Sequence, residues 1–337
     1  MIVQVCPPGS GGVRDYADCL ARAWAPRAVD ARLIEGVRET MRPQLEALLR
    51  AGADASPLCV VLHFSGYGYA PRGLCAWLAD ELSQFKSAHG ARVRLVVVFH
   101  ELFATGAPWR SAFWLSPLQA QVARRLARLA NSLWTNTEHH ASWLRGVVGD
   151  AKSLQTRQVF SNIDEPDDLG AWRLRRPRAI VFGSAATRAR AFGALIPHAH
   201  ALARLGVEEI VEAGDGQSQA GAFCGPPMRH LGRLSSTALS ALLAGSRFGL
   251  LDYPARHLGK SGVFAAYAAH ACTTLNTFAL GTDTDGLRTG VHYVNLRAPF
   301  EFDLDTLAAT ALTLQRWYSS HSLALQAREL LQAAEAH

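Results

Sequence analysis

The chain has 337 residues, more than one ordinary hydrophobic core accommodates and enough for two domains of about 150 residues each. Hydrophobic residues make up 49% and charged residues 18%, and no uninterrupted apolar run reaches the roughly 18 to 20 residues of a membrane span, so a soluble globular chain is expected. The net charge of +6 comes from arginine, since Lys86, Lys152 and Lys260 are the three lysines; it suits phosphate-bearing ligands or an anionic surface, and it equally follows from an Arg- and Ala-rich composition.

Met1 leads directly into the apolar run Ile2 to Cys6, with no basic stretch before a long apolar segment and no small-residue cleavage site, so a secretory leader is not expected. The expected location is the cytoplasm. Short runs rich in β-branched residues then alternate with longer helical patterns, as in parallel sheets covered by helices. Strands are predicted at Ile2 to Cys6, Leu58 to Phe64, Val93 to Phe99 and Leu133 to Thr135, with helices at Asp15 to Trp24, Met41 to Ala51, Pro71 to His89 and Pro117 to Asn131. The polar stretch from Ser161 to Gly170 reads as a linker. Strands recur at Ala179 to Phe182, Glu209 to Glu212, Phe248 to Leu251, Thr273 to Leu275 and Tyr293 to Leu296, and a helical tail runs from Phe302 to Ala336. The pattern predicts an α/β protein of two Rossmann-like doubly wound domains, residues 1–165 and 166–320, with 321–337 as a helix packing back on the first domain.

Several segments carry candidate chemistry. Pro7 to Tyr16 contains Gly9, Gly11 and Gly12, whose backbone N–H groups can approach a phosphate or a sugar at the start of a helix. Its spacing is not the dinucleotide-binding fingerprint. Gly259-Lys260-Ser261-Gly262 opens an alanine-rich helix after a strand; Pro254 stands where a phosphate-binding P-loop needs its first glycine, yet a lysine with backbone amides and a hydroxyl at a helix start suits a diphosphate. Phe99-His100-Glu101 ends a strand, where open α/β sheets place ligands, so His100 and Glu101 are candidates for proton handling or sugar contacts. His63 ends another strand, and a buried histidine there is more often structural. Gly183-Ser184 follows the first strand of the second half, with Arg188 and Arg190 in reach of a phosphate. Tyr67, Tyr69, Trp109 and Trp114 offer flat faces for a sugar.

Other classes fall away. The six cysteines form no C-x-x-C pair, adjacent His139 and His140 do not share a helix face, and no G-x-S-x-G elbow or nucleic-acid module is present. The basic helical set Arg124, Arg125 and Arg128 reads as a solvated face, with a membrane surface as its alternative.

Read in order, these segments resemble the GT-B fold glycosyltransferases, in particular the bacterial retaining family 4 (group 1) enzymes of polysaccharide biosynthesis. Gly11-Gly12-Val13 with Asp15-Tyr16, Phe99-His100-Glu101, Leu231-Gly232-Arg233-Leu234-Ser235, and Asp285-Gly286-Leu287 with Gly290-Val291-His292-Tyr293 follow that family's sequence of motifs. The resemblance implies two domains facing a central cleft and transfer of a sugar from a nucleoside diphosphate sugar to a glycan, lipid-linked or other acceptor. It implies that residues 1–165 take the acceptor and 166–320 the donor, with no cofactor and no metal; no nucleic acid is expected as a partner, and the inner-membrane surface is an alternative peripheral contact.

By the same resemblance, His100 and Glu101 are the catalytic candidates. The donor side comprises Gly11, Gly12, Gly183, Ser184, Arg188, Arg233, Leu234, His257, Lys260, Ser261 and Gly262, and the acceptor side Asp15, Tyr67, Tyr69 and Trp109. The family's paired glutamates, eight positions apart, fall on His257 and Ala265 here. Their loss leaves an alternative: a module that keeps the fold and binds a saccharide or a protein partner without transfer.

Overall fold

Leu58–Phe64 is buried at all seven positions and Val93–Phe99 at all but Arg94, the continuous apolar signature of strands covered on both faces. The computed structural model describes residues 1–27, 29–52, 57–105, 109, 111–221, 223–299 and 303–335. It divides into two compact units, Met1–Gln158 with Leu323–His337, and Val159–Ser322.

In the first unit the elements run β1 (Ile2–Cys6), α1 (Gly12–Trp24), β2 (Ala31–Glu35), α2 (Met41–Ala51), β3 (Leu58–Phe64), α3 (Gly66–Tyr69), α4 (Ala76–His89), β4 (Val93–Phe99), α5 (Ser111–Leu129), β5 (Ser132–Thr135), α6 (Glu138–Val148) and β6 (Ser153–Thr156). The strands form one parallel sheet in the order β2-β1-β3-β4-β5-β6. Because β2 lies on one side of β1 and β3 on the other, the winding direction reverses between β1 and β3. Val60, Leu62 and Val97 pack in one core with Leu82, Phe85 and Leu126 of the covering helices.

The second unit repeats the plan with β7 (Arg176–Phe182), α7 (Ala185–Leu195), α8 (Ala199–Arg204), β8 (Glu209–Ala213), β9 (Met228–His230), α9 (Ser236–Ala244), β10 (Ser246–Leu251), α10 (Gly262–Ala269), β11 (Thr273–Asn276), β12 (Val294–Asn295) and α11 (Leu304–Ser319). Its parallel sheet has the order β12-β11-β10-β7-β8-β9 and reverses between β7 and β10. The last helix, α12 (Leu323–Glu335), belongs to the first unit. The Trp24 indole N–H donates to the Ala327 carbonyl at 2.7 Å, the Tyr16 hydroxyl to Gln326 Oε1 at 2.8 Å, and Arg157 holds Glu329 with contacts of 2.8 and 3.0 Å.

The expected helical tail is thus two helices in two units; its ends, Phe302 and Ala336, lie outside the described residues. The helix expected from Pro71 begins at Ala76 instead, because Arg72 and Gly73 adopt φ of 58° and 69°, which no helix continues through. Among the described residues no helix is long and apolar enough to cross a membrane.

Candidate functional site

Open α/β sheets bind ligands outside the carboxyl ends of their strands, at the point where strand order reverses. In the first unit that point lies between the ends of β1 and β3. The turn after β1 is exposed from Pro8 to Gly12, and a side chain's first carbon at Gly9, Gly11 or Gly12 would meet no atom within 4 Å. The glycines are needed for conformation, not space: Gly9 and Gly11 have φ of 87° and 146°. The Gly11 carbonyl accepts the Asp15 amide at 2.9 Å and opens α1.

Beneath this turn a buried polar chain links three neighbouring strands. The Gln4 amide nitrogen donates to the Ala17 carbonyl at 3.0 Å, Gln4 Oε1 lies 2.9 Å from His63 Nε2, and His63 Nδ1 lies 3.2 Å from His100 Nε2. Tyr16 packs its ring edge-on to both imidazoles, with centroids 4.9 Å from His100 and 5.7 Å from His63. Burial, reinforced by the neighbouring His100, holds the pKa of His63 well below the ordinary histidine value. Asn136, just past β5, donates to the His100 carbonyl at 3.4 Å, while its own Oδ1 is buried without a partner among the described residues. A bound hydroxyl would satisfy such an atom. Glu101 is exposed and accepts from the Ser65 hydroxyl at 3.1 Å.

The acceptor-side candidates separate. Asp15, Tyr67 and Trp109 are exposed, Trp109 at 84%. Tyr69 is buried, and its hydroxyl lies on the carbonyls of Val5 and His63 at 3.1 and 2.9 Å. It braces the ends of β1 and β3 and offers no face to a ligand, which corrects the expectation for that residue.

In the second unit the reversal lies between β7 and β10. Gly183 follows β7 with φ of 119°, and Ser184 caps α7 by accepting the Thr187 amide. After β10 the chain makes a short 3-10 turn, Ala255–Lys260, and enters α10, whose first turn Ser261 caps by accepting the Phe264 amide at 3.2 Å. The two loops adjoin: a side-chain carbon at Gly183 would lie 3.5 Å from the Val263 methyl. Lys260, His257 and Gly262 are half-buried on this turn, while Ala265 is enclosed in the fully apolar α10. Gly232 accepts the Gly214 amide at 2.8 Å, and Arg233, largely exposed, stands 3.4 Å from Asp215, with Leu234 half-buried beside it.

Arg188 has a different place from the one expected. It is wholly buried, donating from Nε to Glu212 at 2.7 Å, from Nη1 to the Gly183 carbonyl at 2.6 Å and from Nη2 to the Asp215 carbonyl at 2.6 Å. It ties the loops after β7 and β8 together from inside and does not face a diphosphate. Glu212, equally buried, also accepts from Ser218 at 2.5 Å and the Gln219 amide at 2.9 Å. Among the described residues no group of three or more His, Cys, Asp or Glu is placed to hold a metal ion.

His63 and His270, one in each unit, are fully buried with pKa values lowered first by burial. Unfolded histidines take up protons near pH 6.5 while these resist, so the unfolded state binds more protons and stability falls as pH drops through that value. Each ring is expected to contribute up to about 1.4 kcal/mol per pH unit. Melting temperature measured from pH 7.5 to 5.5 should fall steadily, and the fall should be shallower in His63→Gln; a flat profile in the parent protein would refute this.

No protein-family model and no curated protein matches the sequence. Solved structures do match in fold. Anabaena Alr3699/HepE in complex with UDP and glucose superposes with a TM-score of 0.61 at 11% identity, covering 100% of this chain and 99% of that one. The trehalose-6-phosphate synthase OtsA gives 0.61 at 10% identity over the same shares. An α-glucosyltransferase in complex with UDP and a 13-mer DNA gives 0.54 at 9% identity, again over 100% and 99%. At such identity the likeness is one of fold, and the fold is the GT-B architecture of glycosyltransferases.

Proposed function

We propose that the chain is a glycosyltransferase that moves a sugar from a nucleoside diphosphate sugar to a glycan, lipid-linked or other acceptor. The observation that carries the reading is the reversal point of the second sheet, where Lys260 and the Ser261-capped start of α10 adjoin the Gly183 turn. A lysine and a helix N-terminus together supply the positive charge that a leaving diphosphate needs, without calling on a metal. Gly232, Arg233 and Leu234 would flank the base. On the first unit, His100 would contact the sugar, and the exposed rings of Tyr67 and Trp109 would receive the acceptor. The fold neighbours with UDP bound support the nucleotide part of the reading.

A thermal-shift and calorimetric panel of nucleoside diphosphates and their sugars tests it. At least one should stabilise the protein, and Lys260→Ala should weaken that ligand about 10- to 100-fold, the range for losing a charged hydrogen bond to phosphate. Absence of any shift at millimolar ligand would sink the proposal. The residues at 257 and 265, histidine and alanine, favour a second reading as a binding module: the ligand would then bind, yet no sugar would reach glycan, lipid-linked or DNA acceptors.

A further inference from the structure

We propose that Gln4 and His63 are positioning residues that hold a proton on Nε2 of His100, so that His100 gains and loses its exchangeable proton at Nδ1 alone; this rests on the reading of His100 as the residue that meets the sugar. The argument starts at the Ala17 carbonyl, which can only accept. The Gln4 atom 3.0 Å from it must therefore be the amide NH2, which turns Gln4 Oε1, an acceptor, toward His63 Nε2 at 2.9 Å. His63 must then carry its proton on Nε2. Its ring is fully buried and kept neutral, so Nδ1 presents a lone pair. The 3.2 Å contact between His63 Nδ1 and His100 Nε2 is consequently donated by His100. One carbonyl on α1 thus sets, through β1 and β3, which nitrogen of a residue at the end of β4 can exchange a proton.

The groups packed around the pair fit this assignment. Tyr16 presents ring edges to both imidazoles while its hydroxyl donates to Gln326. The Ser65 hydroxyl donates to Glu101, and Asn136 donates to the backbone carbonyl of His100. Gln4 is itself fully buried in the middle of an apolar strand, where a polar side chain is costly unless both its ends are bonded, as they are. A buried amide at that place is explained by the relay.

The test is 15N NMR of the unliganded full chain labelled at histidine, with His63→Gln and His100→Gln assigning the two rings. At pH 7.5 both rings should carry their proton on Nε2, and His63 Nδ1 should be bare. A proton on His63 Nδ1 overturns the proposal. In Gln4→Met, His63 Nε2 loses its acceptor while His63 Nδ1–H could still find His100; the proton should move to Nδ1 of each ring with a population change of about tenfold. Unchanged tautomers in that variant also overturn it. If Gln4→Met does not fold, the parent spectrum alone decides. Where transfer is measurable, Gln4→Met should lower kcat about tenfold and move the acid limb of the pH profile, with the donor KM unchanged; a change in KM alone counts against a role at His100. The tautomers are read without ligand, so loss of nucleotide binding would remove the functional reading and leave the relay standing, and the reverse result would do the opposite.

Discussion

Replacing Arg188 by methionine should destabilise the second unit by about 3 to 5 kcal/mol, the usual consequence of leaving one charge of a buried pair without its partner. Arg188 and Glu212 are both inaccessible to solvent. The loss reaches further than the pair, because the guanidinium also holds the carbonyls of Gly183 and Asp215, and a side-chain carbon at Gly214 would sit 1.9 Å from Nη1. For that reason an apolar double replacement, Arg188→Met with Glu212→Leu, should remain destabilised, since those carbonyls and the donors of Ser218 and Gln219 lose their partners. Urea unfolding of the single and double variants measures this, and a double variant as stable as the parent would disprove it. Against a typical total stability of about 5 to 15 kcal/mol, the single change is large enough to empty the native state of this unit on mild heating. Acid should show the same linkage. Burial by itself would raise the pKa of Glu212, but the hydrogen bonds from Ser218, Gln219 and Arg188 outweigh it and hold the carboxyl below its ordinary value. The contribution is therefore complete above about pH 4.5, the unfolded value, and is lost as pH falls through the folded one. Glu212→Gln should flatten that acid limb.

Gly249→Ala should destabilise the second unit by about 3 kcal/mol through forced overpacking. The added carbon would lie 2.4 to 2.6 Å from three atoms of the Tyr267 ring, which covers β10 face-on. That ring cannot swing aside: it is fully buried, its hydroxyl sits on the carbonyls of Ile180 and Leu250 at 2.8 and 3.0 Å, and Phe182 stands edge-on to it with centroids 5.4 Å apart. Gly146→Ala is the matched control. It lies exposed within α6 with nothing within 4 Å, so the same added carbon should stabilise by about 0.5 to 1 kcal/mol. Chemical denaturation of the two variants checks both signs, and equal effects would refute the packing argument.

The central strands were legible because burial on both faces forces uninterrupted apolar sequence; β3 and β4 lie where the runs Leu58 to Phe64 and Val93 to Phe99 end and begin. Three strands had no such signal. β2, β6 and β9 lie at sheet edges, where one side faces solvent, and Ala31–Glu35, Ser153–Thr156 and Met228–His230 carry polar or charged residues accordingly. For the site, glycine turns and strand ends could be found in sequence, since only a few residue types permit them. Partners remote in the chain could not. Nothing near Arg188 announces Glu212, 24 residues on, so an arginine after a glycine turn read as a phosphate ligand when it is an internal tie. His63 likewise read as a structural residue because its neighbours in space, Gln4 on β1 and His100 just past β4, are remote in the chain. The one available hint was Gln4 itself, a lone amide in Ile2–Cys6.

The return of α12 to the first unit also governs the order in which a nascent chain can complete itself. Trp24, Tyr16, Arg157 and Arg94 wait for partners at positions 326 to 333, while Val159–Ser322 is contiguous and holds everything its own sheet requires. At a translation rate of about 5 to 20 residues per second, the first unit spends on the order of ten seconds or more with Trp24 and the flank of α1 uncovered. The half that is made first is therefore the half that is finished last, and it is the one a chaperone would meet.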